Sequence, residues 1–147
     1  MAALLLPLAL LAGAMLPIQF SVNAQLRNAV GGPVAAAAIS FVVGTVCLFL
    51  VYAGSRQPVP RWTRLSAAPW WVWTGGALGA TYVLLSIVLV PRIGAGTTVA
   101  FIVAGQMVTA VVLDHFGFLH VPQHRLSLLR AVGAALVIGG VALIQRY

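Results

Sequence analysis

Charge is the first thing this sequence lacks. Only 6% of its 147 residues are charged, where an ordinary soluble domain carries about a quarter. It has no lysine and no glutamate, and Asp114 is its sole acid. One acid excludes a pair of carboxylates for general acid–base work. The scarcity as a whole excludes a soluble domain with a solvated charged surface. Cysteine is equally short. Cys47 alone excludes an internal disulfide framework and a multi-cysteine metal site. Because it lies within an apolar run, it is expected to be a small buried hydrophobe.

Basic charge is present, but only as arginine: Arg27, Arg56, Arg61, Arg64, Arg92, Arg125, Arg130 and Arg146, for a net charge of +7. In a soluble protein that balance would point to nucleic acid. Here each arginine falls at or near the end of an apolar run. The arginines are therefore interfacial anchors and topology signals, and the expected partner is membrane lipid, with no nucleic acid.

What the chain has in abundance is apolar sequence, at 62%. Its length allows one domain, 1–147, without a large soluble module. The expected class is an all-α integral membrane protein with five transmembrane helices, at about 2–26, 33–54, 70–90, 94–114 and 126–144. Each is long enough, at ~1.5 Å rise per residue, to cross a ~30 Å hydrocarbon core. The first run follows no basic residue and is too long for the apolar part of an ordinary secretory leader, so it is expected to be retained. A multi-pass protein of the cell (inner) membrane is the expected location.

The fourth run, Gly94 to Asp114, organises the rest. Gln106 sits near its middle, and an amide in hydrocarbon is costly without a hydrogen-bond partner. Thr98, Ile102 and Gln106 fall on one face, with Gly105 and Thr109 beside it. That stripe is expected to face other helices or a cavity, with Val99, Val103 and Val111 toward lipid or core. In the first run, Pro17 is expected to kink the helix or free a carbonyl. Gln19 and Asn23 follow, four apart on one face with Met15 a turn earlier. Arg27 to Pro33 forms a turn. In the second run Ala36, Ser40 and Gly44 make a small-residue strip for close packing. The loop 55–69 has three prolines, three arginines and Trp62. Trp70, Trp71 and Trp73 then open the third run at headgroup level. Gly75, Gly79, Tyr82 and Ser86 share its face. Pro91 to Gly94 is a tight turn that makes the third and fourth runs a hairpin.

His115, His120 and His124 lie in the loop after the fourth run. Without cysteine, and with one carboxylate nearby, they are not expected to hold a metal. Asp114 stands beside His115 and near Arg125 at a helix end, where a carboxylate is readily solvated or paired. No carboxylate pair, Ser/His dyad or metal cluster falls within a span, so neither enzymatic activity nor a cofactor is expected.

Five spans put the two termini on opposite sides. Arg56, Arg61, Arg64, Arg125 and Arg130 share the N-terminal side, whereas Arg27, Arg92 and Arg146 face the other. The positive-inside rule thus favours a cytoplasmic N-terminus by two charges. Two arrangements follow. One is a single orientation. The other is insertion in both directions with antiparallel pairing, which makes an inverted repeat of the secondary-transporter kind.

Certain motifs resemble a known family. They are Gln19-Phe-x-x-Asn23, Phe41-x-x-Gly44-Thr45, Trp73-x-Gly75-Gly76-x-x-Gly79, Val90-Pro91-Arg92-Ile93-Gly94, Gly105-Gln106 and Asp114-His115-Phe116-Gly117. Together they resemble the YdcZ-like family. The last run, from Leu129-Arg130 to Gly139-Gly140-Val141, is similar to the closing helix of the wider drug/metabolite transporter superfamily. The resemblance covers nearly the whole chain. It implies a small five-helix protein working as a dual-topology homodimer or as a heterodimer with an oppositely oriented homologue. In the small multidrug-type arrangement it also implies, helices one to four of each copy line the cavity and the last supports the assembly. Small multidrug exporters carry an essential glutamate in their first helix; Gln19 and Asn23 are neutral, so that carboxylate chemistry has no counterpart here.

The expected function is transport of a small solute, with Gln19, Asn23, Tyr82, Ser86 and Gln106 contacting it. Amides donate and accept, which suits neutral or zwitterionic molecules. The alternative is a non-transporting assembly or accessory subunit, in which the same amides bond between helices.

Overall fold

The computed structural model describes residues 2–59 and 61–146. Among these, the regular structure is helical. The helices are α1 (Ala2–Val30), α2 (Pro33–Gly54), a short α3 (Trp62–Ser66), α4 (Thr74–Ile93), α5 (Ala95–Phe116) and α6 (Leu128–Arg146). A 3-10 turn at Trp70–Trp73 leads into α4. Among the described residues, five segments are long and apolar enough to cross a membrane: Leu5–Val30, Pro33–Gly54, Trp70–Ile93, Ala95–Phe116 and Leu128–Arg146.

The helices stop where backbone chemistry makes them stop. The sequence predicts a turn from Arg27, yet α1 runs on to Val30. No helix breaker stands between Arg27 and Gly31, whose φ of +81° ends it. Pro33 then opens α2, where its missing N–H leaves no bond unmade. Helix α1 continues unbroken through Pro17. Gly94 alone separates α4 from α5, with φ 83° and ψ 159°, a backbone state open to glycine and strained for other residues. Gly117, at φ 66°, closes α5 in the left-handed conformation.

The chain forms two compact units. The first is Ile18–Arg92. Its core joins Ala36 and Ala37 of α2 to Val83 and Ile87 of α4, with Leu26 and Val30 of α1 packed against them. The two alanines let the helices approach closely. The expected small-residue strip is used only at its start: Ala36 is buried, Ser40 is half-buried and Gly44 is exposed. In the Gly75/Gly79 pair, only Gly79 has a neighbour, since a Cβ there would meet the Phe41 ring at 3.7 Å. Cys47 is exposed on α2, contrary to the expectation of a buried thiol. The apolar run around it faces outward, as a helix in lipid can, so apolar neighbours in sequence did not mean burial.

The second unit holds the residues before Ile18 and after Arg92. In it α5 and α6 pack as an antiparallel pair, and the loop between them folds back on the end of α5. Arg130 pairs with Asp114 at 3.1 Å and donates to the His124 carbonyl at 3.0 Å. The His124 N–H donates to the Asp114 carbonyl at 2.8 Å. The Leu126 N–H donates to His115 Nδ1 at 3.0 Å, and Gln123 Nε2 donates to the His115 carbonyl at 2.9 Å. Asp114 is thus paired, but with Arg130, in the first turn of α6, and not with the nearer-in-sequence Arg125.

Candidate functional site

Four of the five expected solute contacts, Gln19, Asn23, Tyr82 and Ser86, belong to the Ile18–Arg92 unit. The link between α1 and α4 is aromatic. Phe20, only 1% exposed, meets Tyr82 edge-on with ring centroids 5.6 Å apart. Edge-to-face geometry places a positive ring edge on a negative face and contributes about 0.5–1.5 kcal/mol beyond burial. Asn23 follows Phe20 by three residues and so lies on the same side of α1. Ser86 follows Tyr82 by four and shares its face of α4.

The polar groups of this region are in different states. Ser86 is fully buried, but its hydroxyl donates to the Val83 carbonyl of its own helix at 2.7 Å, the usual way a hydroxyl is satisfied within a helix. Asn23 is 4% exposed, and its Nδ2 has no hydrogen-bond partner among the described residues. A buried donor left unmade costs about 1–3 kcal/mol. Gln19 is exposed. The face predicted from Met15, Gln19 and Asn23 therefore changes environment along its length, because packing on α1 begins at Phe20.

Gln106 belongs to the other unit and is exposed near the middle of α5. Along its expected stripe burial falls steadily: Thr98 is buried, Ile102 half-buried, and Gly105, Gln106 and Thr109 exposed. Thr98 satisfies its hydroxyl on the Gly94 carbonyl at 2.7 Å. Of the flanking valines, Val103 is exposed, while Val99 and Val111 are half-buried. Phe20 carries no polar group, so sequence reasoning passed over it as a site residue. Its signal was its place between the two amides, Gln19 and Asn23.

Electrostatically the Ile18–Arg92 unit contains no acidic side chain at all. What it offers a ligand is an amide, a phenol and aromatic surface, with arginines only near helix ends. Such a set can hydrogen-bond and stack, but it holds no carboxylate to pair with a cation or to carry a proton.

The sequence profile of a family described as "Putative inner membrane exporter, YdcZ" matches residues 4–143. The chain is 31% identical over 133 residues to "Inner membrane protein YdcZ" of Escherichia coli (strain K12), a match that covers 86% of this chain and 89% of that protein. No solved structure matches.

Proposed function

The chain belongs to the YdcZ family, multi-pass proteins of the inner membrane, and from that premise we propose that it transports a small neutral or zwitterionic solute as an antiparallel dimer. The observation that carries the proposal is Asn23. Evolution of a membrane helix has no reason to bury an amide donor unless something meets it. A solute oxygen arriving beside Phe20 and Tyr82 would complete the missing bond. Gln19 and Ser86, of the same unit, would serve that solute too, and Gln106 would contact it from its own helix, the amides donating and accepting at once.

The pairing follows from symmetry and charge. Five spans cannot form an inverted repeat within one chain, but two oppositely inserted copies supply one. The arginine bias of five against three is small enough for insertion in both directions. An inverted pair has two equivalent end states, open to either side, and a central solute is exchanged between them.

Purified protein screened against small solutes by thermal shift tests the binding reading. A solute that stabilises the wild type should leave Asn23→Ala unshifted. An equal shift in both proteins removes Asn23 from the site. Reporters fused to the C-terminus test the pairing, since dual insertion requires signal from both sides of the membrane. A one-sided signal rules out the homodimeric form.

A further inference from the structure

The loop between the second and third spans carries Arg56, Arg61 and Arg64 and no acid. The only acidic side chain of the sequence, Asp114, is engaged by Arg130 at 3.1 Å. No other carboxylate side chain exists in this chain to balance the loop arginines. Their counter-charge has to come from outside it.

A groove of about 580 Å³ lies beside Arg61, walled by Val59, Leu65, Val72 and Trp73. Local bonds give the groove its shape. The Tyr52 hydroxyl donates to the Pro58 carbonyl at 3.0 Å, tying the loop to α2. The Leu65 N–H donates to the Arg61 carbonyl at 3.3 Å, and the Val72 N–H to the Pro69 carbonyl at 3.1 Å. The groove stands where α2 ends and the third span begins, which is the level of the lipid headgroups. Exposed indoles of Trp70 and Trp73 mark the same level.

We propose that this groove binds one anionic glycerophospholipid. The Arg61 guanidinium receives the phosphate, for which its planar array of donors is suited. The glycerol end of an acyl chain lies along Val59, Leu65, Val72 and Trp73. A free phosphate would satisfy Arg61 but leave the apolar walls uncovered, so the lipid is the better match.

The four tryptophans, Trp62, Trp70, Trp71 and Trp73, all lie in or next to this loop, so intrinsic fluorescence reports on this region. The full chain is reconstituted in phosphatidylcholine vesicles containing dibrominated phosphatidylglycerol or dibrominated phosphatidylcholine, whose bromines quench on contact. Phosphatidylglycerol is expected to associate about fivefold more strongly, equivalent to ~1 kcal/mol for one arginine at the surface. Arg61→Gln should bring the ratio to near one, and Arg146→Gln should leave it unchanged. Ala68 also lines the groove, so Ala68→Phe fills it with the charge retained and should also abolish the preference. Equal quenching by the two lipids in the wild type overturns the proposal whatever the variants do. So does an equal loss in Arg146→Gln, which would mean diffuse attraction by net charge, or a preference that persists in Ala68→Phe. Inorganic phosphate or glycerol phosphate that removes the preference at millimolar concentration would identify a free anion as the occupant and overturn it as well.

Discussion

Replacing Asn23 by leucine should make the empty protein more stable. Asn23 Nδ2 is buried without a hydrogen-bond partner, and a donor in that state costs about 1–3 kcal/mol. Leucine is similar in size and has no polar atom to strand. Some of the gain is lost to shape, because an imperfect fit in a packed site costs up to about 1 kcal/mol or slightly more. Some is lost to the unfolded chain in the membrane, where an amide finds other partners worth about 0.6 kcal/mol. At the centre of these ranges, about 2 less about 0.5 and about 0.6, a net gain of roughly 1 kcal/mol remains, which corresponds to a melting temperature higher by about 3 °C at this chain length. Asn23→Ala removes the same donor but opens a hole, and the cavity cost offsets the gain. The expected order of stability is therefore leucine above asparagine, with alanine equal to asparagine or below it. Tryptophan fluorescence during unfolding in mixed micelles measures that order without any ligand. A leucine variant less stable than the wild type would refute the reasoning, because it would mean that the amide already has a partner and is not held for a solute.

Gly94→Ala should lower stability by about 1–3 kcal/mol, since alanine would be forced into the φ 83°, ψ 159° backbone state. Gly133→Ala has open space around the new methyl and should be neutral or slightly stabilising in the same assay. Asp114→Asn should cost under about 1 kcal/mol, because Arg130 and Asp114 are 41% and 26% exposed and water screens the pair. Arg130→Ala should cost more, as the His124 carbonyl also loses its donor, and a double-mutant cycle separates the two. His115→Phe keeps a ring against Phe116 but removes the acceptor of the Leu126 N–H. The exchange of that amide should accelerate about fivefold, the worth of one ~1 kcal/mol hydrogen bond.

The five spans were legible because length and apolarity alone decide whether a helix can cross a bilayer. Their ends were less legible, because they depend on local bonds. Helix α6 begins at Leu128, two residues beyond the expected start, where Ser127 Oγ accepts the Arg130 N–H at 3.3 Å. The clasp after α5 could not be read at all. His115, Gln123, Leu126 and Arg130 meet only after the loop has folded back, and no periodicity encodes such a return. Helical spacing put Gln19 and Asn23 on one face. It could not say that the neighbouring Phe20 would anchor α1 to Tyr82, and so bury Asn23 and leave Gln19 exposed.

The difference between hydroxyls and amides ties these observations together. Ser86 bonds the Val83 carbonyl, Thr98 the Gly94 carbonyl and Thr81 the Ala77 carbonyl, each within reach of its own helix. These serine and threonine hydroxyls thus need nothing beyond their own backbone. An amide carries two donor hydrogens and an acceptor oxygen, more than the adjoining turn can satisfy. The amides of Asn23, Gln19 and Gln106 are therefore the groups whose bonding has to be completed from elsewhere. Gln106 presses this point hardest, because it is exposed near the middle of α5. Left against acyl chains it would carry the full desolvation cost of an amide in hydrocarbon. The second copy proposed above, or a hydrated cavity that it encloses, would remove that cost, and Gln106 would then be available to a passing solute.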